Sequence, residues 1–364
     1  MMNTAKAALF MGPETPFEIR EFPLTTPPEG YARLSLVASG VCGTDMHFYT
    51  GKLAIDPPKI IGHEFIGRVE ELPAGYTGDI SVGDNVIVDI ACPCGECALC
   101  GTDDDANCVN MGVTNGGDPE TVPHFWGGFA EANYSPIANL VRIPVDLDPV
   151  MTSVFACAGP TALHAFALAR RSNVPLRDAK VAVVQGTGPV GSFAIMYLKS
   201  LGIPNIVAIT LDEDPARDAL SRKLGVTEFC YLSRMSEDEI AAHIAELNGG
   251  LGADLVFEAS GSPAAVPVGM QILRNRGVYL VPGQYSNRGG ISIQPQLITF
   301  KALQLIGSSQ YSMSDVYAYL QFLLDNPQLH GCIRDLATTY TVEEINTAFA
   351  DMRAQKNIKT LLVK

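Results

Sequence analysis

Three side chains set the terms for this chain: Cys42, His63 and Cys157. Two thiolates and an imidazole fill three corners of a tetrahedral zinc ion and leave the fourth open, the layout of a catalytic rather than a structural zinc. They stand about twenty and then nearly a hundred residues apart. No local turn joins them, so the fold itself has to build one cleft around the metal, and a dinucleotide is expected in the same cleft. Alone, a cysteine reads as a buried thiol and a histidine as a hydrogen-bonded interior residue. The pairing of Cys42 with Gly62-His63-Glu64, flanked further on by Gly67, is what turns both toward metal chemistry.

The rest of the composition narrows the class. A chain of 364 residues suggests two domains of roughly 150 residues each, and 47% apolar against 18% charged residues supplies the material for real cores. The net charge of −14 argues against nucleic acid or an anionic membrane surface as a partner, since both demand basic patches. The first twenty residues lack a basic start followed by an apolar run, so no secretion signal is expected. No stretch of eighteen apolar residues occurs, so no membrane span is expected. Nine cysteines, five of them from Cys92 to Cys108, read as metal binding in a reducing, cytoplasmic setting rather than as a disulfide framework.

Residues 1–155 read as an irregular, mostly β domain. Apolar, β-branched stretches at 32–38, 65–70, 85–90 and 139–143 are punctuated by Gly, Pro and Asp. Within it, Cys94, Cys97, Cys100 and Cys108 form a compact lobe (about 92–110) able to close a tetrahedral zinc with no open position, a site that shapes a loop and does not react. An iron–sulfur cluster is the rival for four thiolates. Cys92 is a bystander.

Residues 156–299 alternate strand and helix. A buried strand over 180–185 runs straight into Gly186-Thr187-Gly188-Pro189-Val190-Gly191, and helical character follows over 192–200. A glycine fingerprint in that context lets backbone approach a pyrophosphate at a helix N-terminus. Strands at 205–210, 229–232, 254–259 and 277–281 alternate with helices at 215–224 and 236–247, the latter opened by Ser236 with Glu239 three residues on. This is a doubly wound parallel sheet of the α/β class. The second strand ends in Thr210, where an acid is expected for the adenosine ribose, with Asp212 two residues later. The acids Asp212, Glu213 and Asp214 favour NAD over NADP. The tail, 300–364, carries helices at 314–324 and 342–352 and a closing strand at 358–363 that returns to the first domain.

With these features together, the chain resembles the zinc-dependent medium-chain alcohol and polyol dehydrogenase family. The resemblance spans essentially the whole chain and rests on Val41-Cys42-Gly43-Thr44-Asp45-Met46-His47, Gly62-His63-Glu64, the four-cysteine lobe and the Gly186–Gly191 turn. Pro73 departs from the small residue the family's signature carries there. The resemblance implies a GroES-like catalytic domain beside a Rossmann domain. It implies two zinc ions per chain, with Cys42, His63 and Cys157 on the catalytic one and Glu64 as a nearby or exchanging ligand. Asp45 then orients His63, Thr44 passes the alcohol proton, His47 carries it outward through a cofactor ribose hydroxyl, and Thr161 and Val190 pack on the nicotinamide. A homodimer or homotetramer is implied as well.

Zinc lowers the pKa of bound water from 15.7 to about 7, and should act on an alcohol likewise, so that hydride can pass to a nicotinamide. The expected activity is interconversion of an alcohol and its carbonyl partner. The aromatic residues Phe48, Tyr49, Phe125 and Trp126 point to a secondary or cyclic apolar alcohol, if they line a pocket. Two other readings stand beside this one: a polyol or sugar dehydrogenase of the same mechanism, and a non-catalytic dinucleotide-binding relative.

Overall fold

The structure is a computed structural model and describes residues 3–102, 105–172, 174–284, 286–287 and 289–364. The chain forms two compact units, Met1–Cys157 together with Tyr311–Lys364, and Ala158–Gln310. Among the described residues no helix is long and apolar enough to cross a membrane.

The strands of the first unit are, in chain order, β1 (Thr4–Leu9), β2 (Glu18–Pro23), β3 (Tyr31–Val41), β4 (Glu64–Glu71), β5 (Asn85–Val88), β6 (Ala91–Cys92), β7 (Gly112–Val113), β8 (Ala132–Pro136) and β9 (Leu140–Arg142). β3 alternates half-buried and buried residues along most of its length, the signature of a strand with one face on a core. That core is rich in aromatic rings. Phe17 lies 4.7 Å from Phe349 and 5.9 Å from Tyr49, centroid to centroid.

The second unit holds β10 (Val181–Gln185), β11 (Asn205–Thr210), β12 (Glu228–Tyr231), β13 (Ala253–Glu258), β14 (Leu273–Val281) and β15 (Gln304–Gly307). All are parallel, in the order β12-β11-β10-β13-β14-β15. This is the doubly wound dinucleotide-binding order, in which the first strand sits at the centre and the sequence of strands reverses beside it. β10 is wholly buried, as a strand covered on both faces must be. Ser236 and Glu239 form a reciprocal capping box that starts the helix Glu237–Leu247. The strand expected from 277 begins at Leu273, because β14 carries an irregularity opposite Ala253–Leu255 before it settles into register.

Two strands complete the first unit from the far end of the chain, β16 (Ala337–Tyr340) and β17 (Lys359–Val363). They extend its main sheet to seven strands, β16-β17-β3-β4-β5-β9, with β8 also paired to β3. The helix expected over 342–352 opens as a single 3-10 turn, Val342–Glu344, behind a Thr341–Glu344 capping box, and continues as Ile345–Arg353.

Candidate metal centre and dinucleotide turn

Cys42 directly follows β3 and caps the short helix Gly43–Tyr49, which carries Thr44, Asp45 and His47. His63 lies directly before β4, and Cys157 follows the helix Pro149–Ser153. The first unit thus brings three remote segments together. One ligand atom from each of Cys42, His63, Glu64 and Cys157 lies within 4.8 Å of the others. Cys157 Sγ stands 3.8 Å from His63 Nε2. An ion bonded to sulfur at about 2.3 Å and to nitrogen at about 2.0–2.1 Å in a tetrahedron holds them roughly 3.5 Å apart, so the donors fit a single zinc.

The two thiols also set each other's protonation. Hydrogen bonding to Cys157 holds the Cys42 thiol well below its usual range, although burial opposes this. The same contact, then burial, pushes Cys157 well above its own. A thiolate so close to a second thiol disfavours the ionisation of that second group.

Asp45 is fully buried. One carboxylate oxygen accepts from the Cys42 backbone N–H at 2.8 Å. Among the described residues the other has no hydrogen-bond partner, and it lies 3.6 Å from His63 Nδ1. That placement favours the proton on Nδ1 and leaves Nε2 to face the thiols. Thr44 Oγ1 is 3.8 Å from Cys42 Sγ, and His47 follows three residues later, on the same face of its helix.

Glu64 has a partner that its sequence neighbourhood does not show. Lys359, at the start of β17, forms a salt bridge with it, and both side chains are 1% exposed. The two meet over Gly40, where a Cβ would lie 1.9 Å from the Glu64 carboxylate and 2.9 Å from Lys359 Nζ. Burial raises the Glu64 carboxyl to about 7, with Lys359 pulling the other way. Burial also works against the Lys359 ammonium, but Glu64 and Cys42 outweigh it and hold the lysine above its ordinary value. In the sequence the lysine heads the strand Lys359-Thr360-Leu361-Leu362-Val363, whose last three residues are apolar.

The four-cysteine lobe is equally regular. Sγ–Sγ distances run 3.5 Å (Cys97–Cys100 and Cys108–Cys94), 3.9 Å (Cys97–Cys108) and 4.0 Å (Cys94–Cys100). A tetrahedron with zinc–sulfur bonds of about 2.3 Å has edges near 3.8 Å. The spacing suits one ion, whereas an iron–sulfur cluster would spread the thiolates further apart.

The glycine turn lies in the second unit. Gly186 has φ +91° and no room for a side chain, since its Cβ would come within 2.9 Å of Ser260 Cα. A Cβ on Gly191 would lie 2.0 Å from the Gly186 carbonyl oxygen, while Gly188 faces open space. Gly188 and Pro189 begin the helix Pro189–Ser200, which also carries Val190. Thr210 ends β11 and its hydroxyl donates to the Asp212 carbonyl at 3.3 Å. Thr161 lies on the helix Ala158–Arg171.

The aromatic residues expected around a substrate pocket are packed into the first unit to different degrees. Phe125 is fully buried in the first unit's core, where Phe48 and Tyr49 also pack. Trp126 meets Tyr31 edge-on and donates to the Thr121 carbonyl.

Residues 28–145 match the model of the alcohol dehydrogenase GroES-like domain, and residues 189–325 that of the zinc-binding dehydrogenase. The chain is 31% identical over 369 residues to the 5-exo-hydroxycamphor dehydrogenase of Pseudomonas putida, covering 99% of both chains. It belongs to the zinc-dependent medium-chain alcohol and polyol dehydrogenases. A sorbitol dehydrogenase of Halalkalibacterium halodurans is 29% identical, with 95% of each chain covered. The crystal structure of an alcohol dehydrogenase from Thermotoga maritima superposes with a TM-score of 0.89 at 25% identity, covering 99% of each chain. As a medium-chain dehydrogenase the chain is an enzyme of alcohol or polyol oxidoreduction that uses zinc and a nicotinamide cofactor.

Proposed function

We propose that this medium-chain dehydrogenase is NAD-linked and oxidises a secondary or cyclic apolar alcohol, with Cys42, His63 and Cys157 holding the catalytic zinc and Cys94, Cys97, Cys100 and Cys108 a structural one. The observation that carries the reading is the convergence of the four donor atoms within 4.8 Å, with the fourth, Glu64, drawn to Lys359. Three protein ligands and a free corner remain, as a catalytic zinc requires. When bound, the zinc supplies a Lewis acid that makes the alcohol proton labile. Thr44 takes that proton by hydrogen bonding, and His47, one turn on, passes it outward. Asp45 keeps His63 in the tautomer that leaves Nε2 for the metal. Gly186, Gly188, Pro189, Val190 and Gly191 cradle the pyrophosphate, Thr210 and Asp212 face the adenosine ribose, and Thr161 packs on the nicotinamide. Cys42→Ser should lower the zinc content and abolish NADH formation together. Full activity in a metal-free variant ends the reading.

NAD is favoured over NADP by charge. Arg217, the cation closest to Asp212 along the chain after the acids, lies 3.8 Å from Asp214, and Arg234 pairs with Glu213. Asp212 itself repels a ribose phosphate. The ratio of kcat/KM for the two cofactors tests this; a preference for NADP contradicts it. The apolar alcohol is favoured by the likeness to the hydroxycamphor enzyme, since a hydroxycamphor is a cyclic secondary alcohol. A polyol is the second reading, favoured by the sorbitol dehydrogenase. A panel in which hexitols outrun cyclic alcohols decides for it. A homodimer or homotetramer, checked by sedimentation, is the assembly this reading carries.

A further inference from the structure

Gly62 stands immediately before His63 with φ +92°. A Cβ there would lie 2.4 Å from the Phe129 ring, so the position is confined to glycine and its backbone is loose by nature. Its carbonyl oxygen takes two hydrogen bonds, from the Gly128 backbone N–H at 2.9 Å and from the side-chain amide of Asn115 at 3.2 Å. The Gly62–His63 peptide is planar. Fixing its oxygen therefore fixes the direction in which His63 leaves the backbone. One donor lets the plane rock about a single hydrogen bond; a second donor removes that freedom.

Asn115 is itself well anchored, on the chain leaving the four-cysteine lobe. Gly112 and Val113 pair with Cys92 and Ala91. The Thr114 N–H donates to the Ile90 carbonyl at 3.1 Å. Lys59 Nζ donates to the carbonyls of Gly116 and Gly117 at 3.1 and 3.2 Å. The segment just after Cys108 is thus bolted at two points to the segment just before His63.

We propose that Asn115 is a positioning residue for the metal centre: from the four-cysteine lobe it holds the Gly62–His63 peptide so that the imidazole meets the ion at the corner the two thiolates leave. Asp45 steadies the ring of His63 and Asn115 steadies its backbone, so the ligand is held at both ends. This rests on the assignment of Cys42, His63 and Cys157 as ligands.

The test uses the zinc-loaded full chain. Asn115→Leu removes the donor at similar volume, and Asn115→Gln keeps an amide donor. Zinc dissociation constants for the two classes of site come from chelator competition, and ligand geometry from the absorption of the cobalt-substituted protein. N115L should weaken the Cys42–His63–Cys157 site by about 10- to 100-fold, the range seen when outer partners of metal ligands are lost. It should alter the cobalt spectrum of that site and spare the four-cysteine site, with N115Q falling back close to wild type. Wild-type affinity and spectrum in N115L overturn the proposal. So does equal weakening of both sites in N115L and N115Q alike, the mark of a generally loosened lobe. A Cys42→Ser chain with unchanged metal content and cobalt spectrum brings down the ligand assignment itself, whatever the Asn115 variants do.

Discussion

At the scale of single residues, the Glu64–Lys359 pair is the least expected part of the centre. Both groups are almost fully buried, where an uncompensated charge is severely penalised. Losing one partner of such a pair typically costs about 3–5 kcal/mol, because the other is left charged or must change protonation. Lys359→Met should therefore lower the denaturation midpoint of the first unit markedly, and Lys359→Met combined with Glu64→Gln should recover most of the loss. Urea titrations of the single and double variants check this; a K359M chain as stable as wild type contradicts it. The two donor clusters were legible in the sequence, since few residue types bind zinc and Cys42, His63 and the four-cysteine spacing are distinctive. Lys359 was not, because it meets Glu64 across 295 residues of chain and lysine carries no spacing rule. Asn115 was invisible for the same reason: its role lies in one hydrogen bond to a carbonyl 53 residues away.

At the scale of elements, the second unit was read more easily than the first. Its strands and helices are local, and each helix that was read carries its own start signal, such as Pro215 behind Asp214 or Ser236 with Glu239. The helix Ala158–Arg171 escaped because Gly159-Pro160 reads as a turn, whereas proline suits a first helical turn. In the first unit β1, β2, β6, β7, β8 and β16 were missed; β6 and β7 have only two residues each, and β8 is recruited by β3 from about a hundred residues away. Parallel strands in the second unit still need long-range ties, and Asp254 is one. At the start of β13, its carboxylate accepts from the backbone N–H groups of Lys180 and Val181 at 2.8 and 3.0 Å, and from Arg274 Nε at 2.5 Å. Burial opposes the charge, but Arg274 and the two N–H groups outweigh it and hold the carboxyl below its usual range. A depressed folded pKa means stability that is present above the unfolded value of about 3.9 and lost as pH falls through the folded one. Asp254→Asn should thus cost about 1.5–3 kcal/mol at neutral pH, with the gap to wild type closing below about pH 4. Melts at neutral and acid pH measure it. An equal gap at both would show that the charge is not what stabilises the tie.

At the scale of the whole molecule, the two units differ in how their chain is laid out. The second is one continuous run, Ala158–Gln310, whereas the first is assembled from Met1–Cys157 and Tyr311–Lys364. In the first unit β17 lies between β16 and β3. Without the returning segment Tyr311–Lys364, part of one edge of β3 loses its partner β17, Glu64 loses Lys359, and the Thr152 carbonyl loses the Tyr319 hydroxyl that donates to it at 2.6 Å. An exposed hydrogen-bonding edge invites association with other chains, and a buried carboxylate without its lysine adds to the penalty. The first unit is therefore expected to close only when the last strand has been made, and the second to form from its own run. A fragment of residues 158–310 should fold alone, melt cooperatively and bind the dinucleotide. A fragment of residues 1–157 should fail to fold and should not retain metal at Cys42, His63 and Cys157, even though it contains all three. Circular dichroism, thermal melts and zinc analysis of the two fragments test this. A cooperative, metal-retaining 1–157 fragment would mean that the returning strand and Lys359 are dispensable to the centre, and a molten 158–310 fragment would mean that the parallel sheet draws its stability from outside its own sequence.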